Sequence, residues 1–134
     1  MSKVIVPANR DSRQAIAIDW SVKAFGEAVA TDKKERALRF LEEAIELAQA
    51  CGIEFLDIPA LAAHVYGKPV GEVAQEVGGV GVTLLILCQN LGLSAEDCEW
   101  AELKRILTLG PAHFTARQDA KAAAGVARKS EVPA

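Results

Sequence analysis

Residues 72–88 read EVAQEVGGVGVTLLILC. Two glutamates stand four residues apart, three glycines follow, and the stretch ends in a nearly unbroken apolar run. The β-branched residues of VGVTLLIL give it strand propensity. Length argues for a helix, because the pattern extends from a turn at Pro69 to about Asn90, and no second convincing strand offers a partner. On a helix, Glu72, Glu76, Gly79, Thr83 and Asn90 fall within a stripe roughly 60° wide. The rest of the surface is apolar or small, as in a buried helix. Its polar stripe must then face something polar, since a buried carboxylate needs a partner charge or a metal. The alternative is that Glu72 and Glu76 lie at an exposed N-terminal end, where the helix dipole favours them.

Helices also account for the rest of the chain. Asp11 with Gln14, and Asp32 with Glu35, have capping-box spacing and predict helices to about Val29 and Ala50. A shorter helix is expected after Asp57, one from Ser94 to before Gly110, and a last one from Pro111. The expected fold is all-α: a compact bundle of about five helices around a carboxylate metal site, oligomeric. Residues 1–125 form its single domain and residues 126–134 a flexible tail.

In KERALRFLEEAIELAQAC the residues Glu35, Arg36, Arg39, Glu42, Glu43, Glu46 and Gln49 share one face. A plain amphipathic helix with a solvated acidic face explains that pattern. Taken with residues 72–88, it also supplies Glu43 and Glu46 opposite Glu72 and Glu76. Four carboxylates between packed helices make a hard-oxygen cage suited to Mg²⁺ or Mn²⁺. The two histidines, His64 and His113, form no ExxH motif, which argues against a di-iron site, and a Cys/His set for zinc is missing. Gly78, Gly79 and Gly81 each cost about 1 kcal/mol against alanine in a helix. GGVG lacks dinucleotide-loop spacing, so close approach of a helix or ligand is the better account.

These motifs resemble the all-α nucleoside triphosphate pyrophosphohydrolases of the MazG superfamily, whose signature is EExxE on one helix and ExxD on a following one. EEAIE at 42–46 matches the first half. In EVGG, Glu76 matches the acid and Gly79 stands where the family has Asp. The chain is most similar to the small MazG-like proteins of bacteriophages, through Trp20, Phe25-Gly26, ERALRFLEEAIELAQACG, VYGKPVGEVAQEVGGVGVTLLILC and PAHFTARQDAKAAAG.

The resemblance implies hydrolysis of nucleoside triphosphates, leaning to the purine dNTPs dGTP and dATP, to the monophosphate and pyrophosphate. It implies two or three Mg²⁺ or Mn²⁺ ions held by Glu43, Glu46 and Glu76, with Glu72 or water in place of the missing Asp. Glu42 then orients water or acts as base. Arg36 and Arg39 either bind phosphate or pair with Glu43 and Glu46. Arg117 and Lys121 are candidate phosphate contacts, and Trp20 and Phe25 either stack on a base or pack in the core. A homodimer or homotetramer is implied. The alternatives are a non-catalytic helical adaptor and a divalent-metal-binding protein.

The bulk properties agree with a small globular protein. The chain has 134 residues, a net charge of −3 and no basic block, so a nucleic-acid duplex is not the expected partner. No charged-then-apolar leader and no 18-residue apolar span are visible, so the expectation is a cytoplasmic protein (host cytoplasm if phage-encoded) without a membrane partner. The three cysteines lack a CxxC pair and are expected as free thiols.

Overall fold

The computed structural model describes residues 3–133. Among them it is all-helical, with seven helices and no strand: α1 Arg10–Phe25, α2 Glu27–Ala30, α3 Lys33–Ala50, α4 Asp57–Tyr66, α5 Val73–Leu91, α6 Ala95–Leu109 and α7 Pro111–Ala123. VGVTLLIL lies inside α5, so its strand propensity is overridden. Met1, Ser2 and Ala134, the outermost residues of the expected domain and tail, lie outside the described residues. The chain divides into two compact units, Met1–Phe40 with Glu96–Ala134, and Leu41–Ala95.

The first unit is organised around α1. Its N-cap is Asn9, whose side chain accepts from the Ser12 amide, and not the expected Asp11, which lies in the first turn. The helix stops at Phe25 instead of running on to Val29, because Gly26 sits at φ 84°. That left-handed backbone suits glycine. Gly26 also leaves room for the backbone of Glu131, whose amide donates to the Phe25 carbonyl at 2.8 Å. Ala24, Phe25 and Val29 form the core, with Trp20 and Phe114 packed on it edge-on. Thr115 Oγ1 donates to the Ala24 carbonyl at 2.6 Å and ties α7 to α1. Arg13, itself buried, pairs with Glu99 of α6 at 2.9 Å and donates to the Pro7 and Ala8 carbonyls.

The α3 start fits its capping signal: the Glu35 amide donates to Asp32 Oδ1 at 3.2 Å. The Glu35 side chain has another role. It is 4% exposed. Its carboxylate accepts from Gln118 Nε2 at 2.8 Å and from the Arg128 amide at 3.1 Å. It also pairs with Arg39 Nε at 3.1 Å and with Arg36 at 3.6 Å. Residues 126–133, read from sequence as part of a flexible tail, therefore carry specific contacts. Arg39 donates to the Val126 carbonyl, Arg128 pairs with Asp32 at 2.9 Å, and the Ser130 amide and hydroxyl both donate to Asp119.

The second unit holds the C-terminal half of α3, then α4 and α5. Helix α3 ends at Ala50 and the chain turns at Gly52, φ 94°, with the Ile53 amide donating back to the Ala48 carbonyl. Helix α5 starts at Val73, later than the expected first turn at Pro69, because Glu72 caps it from outside. It ends in the same way as α3, at Gly92 (φ 68°), with the Leu93 amide donating to the Cys88 carbonyl at 2.9 Å. Within residues 41–95 the only buried side chain is Cys88. Cys51, Cys88 and Cys98 are all free thiols.

Two outcomes follow for the first unit. Glu35→Ala leaves the half-buried Arg36 and Arg39 without their shared carboxylate, and should cost about 3–5 kcal/mol in denaturant unfolding. A cost comparable to a surface substitution would refute the role given to Glu35. The second outcome concerns pH. The Arg128 guanidinium holds the Asp32 carboxyl below its ordinary value of 3.8, and the Ser130 hydroxyl and amide do the same for Asp119. Both groups are depressed in the folded state, so their contribution is complete above pH 3.8 and lost as pH falls through their lower folded values. Hydrogen exchange should show the Ser130 amide losing protection in that acid window ahead of the α1 amides; simultaneous loss would refute a separately titrating tail.

Candidate functional site

The acids expected to form a cage all lie in the second unit. Glu42, Glu43 and Glu46 occupy one and a half turns of α3, with Glu42 half-buried and Glu43 and Glu46 exposed. The i, i+3 spacing places Glu43 and Glu46 side by side on an unbroken helix. Among the described residues neither enters an ion pair.

Glu72 and Glu76 lie at the exposed start of α5. Glu72 is the N-cap: its carboxylate accepts from the Ala74 amide at 3.1 Å and the Gln75 amide at 2.9 Å. The Gln75 and Ala74 amides hold it below its ordinary value of 4.5. Glu76 is in the first turn, and its carboxylate folds back over Gly71, where a side chain would collide with it. This is the arrangement in which the positive end of a helix holds acids in solvent.

The two pairs do not meet within one chain. Helices α3 and α5 do not pack on each other, and among the described residues no group of three or more His, Cys, Asp or Glu side chains converges. The donor set has the chemistry for Mg²⁺ or Mn²⁺, but one chain alone does not supply the geometry.

The expected substrate contacts belong to the first unit, and its packing accounts for most of them. Trp20 lies edge-on to Phe25 at 5.5 Å and to Phe114 at 5.0 Å, and Phe25 is core. The Trp20 Nε1 is buried and has no hydrogen-bond partner among the described residues. Arg36 lies 4.9 Å from the Phe25 ring centre, and burial pulls the pKa of its guanidinium down. Arg36 and Arg39 pair with Glu35 and not with Glu43 or Glu46. Arg117 is exposed, with its guanidinium 5.9 Å from the Phe114 ring centre, and Lys121 is half-buried in the last turn of α7.

Sequence reasoning missed Glu35, Gln118 and Arg128 as a connected group. Glu35 was visible only as the second half of a capping box, and nothing in the spacing announces a partner 93 residues away. No family model, no curated protein and no solved structure matches the chain.

Proposed function

We propose that the protein hydrolyses nucleoside triphosphates, leaning to the purine dNTPs dGTP and dATP, to the monophosphate and pyrophosphate. The observation that supports this most is the Glu43–Glu46 pair, two exposed carboxylates one turn apart on a continuous helix, unpaired among the described residues. The resemblance described above gives that pair its chemistry. Water adds to the α-phosphorus, the bond from that phosphorus to the bridging oxygen breaks, and pyrophosphate leaves. In this reading Glu42, next to the pair in sequence, holds the water or takes its proton.

The reading requires two or three Mg²⁺ or Mn²⁺ ions, which neutralise phosphate charge when bound. Glu43, Glu46 and Glu76 are the hard-oxygen donors. Because a single chain does not bring them together, the reading also requires a homodimer or homotetramer. Arg117 and Lys121 remain the candidate phosphate contacts. Among the described residues no single helix is long and apolar enough to cross a membrane; a cytoplasmic site of action, in the host if phage-encoded, belongs to the same proposal. The non-catalytic adaptor is the second reading, favoured by the failure of the acids to converge in one chain.

A screen of canonical NTPs and dNTPs with Mg²⁺ or Mn²⁺ separates the two readings. The expected products are monophosphate and pyrophosphate in equal amounts, with label from ¹⁸O-water in the monophosphate. Orthophosphate as first product would overturn the assignment, and no turnover of any nucleotide would favour the adaptor. Glu46→Gln and Glu76→Gln should each lower turnover by at least ~100-fold, since lost ligands cost more than lost outer-shell partners, with helicity retained. Glu72→Gln should be mild, because that carboxylate is committed to the Ala74 and Gln75 amides. Equal losses from Glu72→Gln and Glu76→Gln would show that Glu72 leaves its cap to join the site.

A further inference from the structure

Arg39 stands between two acids on one helix. Helix α3 is unbroken from Lys33 to Ala50, with Glu35 four residues before Arg39 and Glu43 four residues after it. Both acids are within reach of the same guanidinium, since side chains four apart on a helix are neighbours. Arg39 is also the only Lys or Arg within four residues of Glu43 or Glu46. Its choice of partner therefore decides whether that acid pair carries a counter-charge from its own helix.

The choice falls on Glu35. Arg39 Nε lies 3.1 Å from Glu35 Oε1, and the Arg39 side chain is 15% exposed. A second donor, Nη2, goes to the Val126 carbonyl. Three features favour this side. A glutamate that precedes its arginine by four residues pairs better than one that follows it. The Glu35 carboxylate is buried and Glu43 is exposed, so water weakens the attraction to Glu35 less. Gln118 and the Arg128 amide hold the Glu35 carboxylate in place.

We infer that Glu35 is a positioning residue: by holding Arg39 on its own side, it leaves Glu43 and Glu46 open to a divalent cation. The docked C-terminal segment takes part, because the Val126 carbonyl holds Arg39 and the Arg128 amide holds Glu35. With Glu35 made neutral, Arg39 turns to Glu43 and opposes a cation there. A unit positive charge and a divalent ion about 6 Å apart in water repel enough to weaken binding about tenfold. The inference rests on the proposed metal-dependent reading for the ion. The partner that Arg39 takes does not depend on that reading.

Rescue by a second substitution tests it. Mn²⁺ affinity is read by electron paramagnetic resonance in full-length variants, with helicity checked by circular dichroism. Glu35→Gln, which keeps the shape and removes the charge, should bind Mn²⁺ about tenfold more weakly than the wild type. Adding Arg39→Gln to it should return the affinity to the wild-type value, and Arg39→Gln alone should leave it unchanged. If Glu35 only supports the fold, the second substitution removes one more contact and the affinity does not recover, which overturns the inference. Binding that does not respond to Glu35→Gln overturns the positioning role alone. A wild-type protein that binds no Mn²⁺ overturns the metal-dependent reading and the positioning role together.

A double-mutant cycle on stability needs no metal and decides the case if Glu35→Gln does not fold. With Glu35 intact, Arg39→Gln and Glu43→Gln should have additive effects in denaturant unfolding, as for side chains that do not interact. Additivity supports the assignment of Arg39 to Glu35. A coupling between Arg39 and Glu43 as large as that of a helical ion pair shows that Arg39 already serves Glu43, and the inference falls.

Discussion

The first unit depends on a carboxylate that has been taken out of water. Glu35 is acceptable in the interior only because two guanidinium groups, a side-chain amide and a backbone amide surround it. Those partners come from α3, α7 and the C-terminal segment, so one charge specifies how three separate stretches of chain meet. The buried apolar residues of the unit are few, Ala24, Phe25, Val29, Ala30 and Leu103 among the described residues, with Trp20 and Phe114 packed against the first three. In a unit with so little apolar burial, a satisfied polar cluster can fix which arrangement is adopted.

The second unit has the opposite character. Helix α5 is capped at both ends and the unit's apolar residues are abundant, yet almost none are covered. Local signals are sufficient to make such helices, since N-caps and glycine C-caps act within a few residues. Burial requires other elements, and most helical stability comes from packing an apolar face. Glu72 and Glu76 therefore appear as acids at a helix start in solvent, while the same residues read on a buried helix look like ligands. The two descriptions differ in what covers the helix.

The sequence was legible where the controlling interaction is short-range. Asp32 as cap and Gly52, Gly67 and Gly110 as stops follow from local chemistry, and α3, α4, α6 and α7 lie close to where that chemistry puts them. The break at Gly26 was illegible because the backbone that packs against its left-handed turn, that of Glu131, is more than a hundred residues away. Pro69 gave a plausible first turn for α5, but the Glu72 side chain competes for the same amides and moves the start to Val73. The spacing of the candidate site was readable for Glu43 and Glu46, which share α3, and for Glu76 on α5, whereas Glu72 caps α5 from outside. Convergence was not, since periodicity defines a face of one helix and carries no information about which helix lies opposite.

The closing of Gly26 over Glu131 has a consequence for the order in which the protein is made. The first unit is discontinuous, with residues 41–95 inserted between its halves. Its buried Glu35 finds the Arg128 amide 93 residues later, and Phe25 finds Glu131 later still. During synthesis the amino-terminal half emerges with a charge it cannot yet satisfy and core residues it cannot yet cover. The inserted helices are complete before the surrounding unit can be. Folding of the first unit therefore waits until residues 128 and 131 have been made, and a chain that stops before position 128 lacks groups that hold it closed.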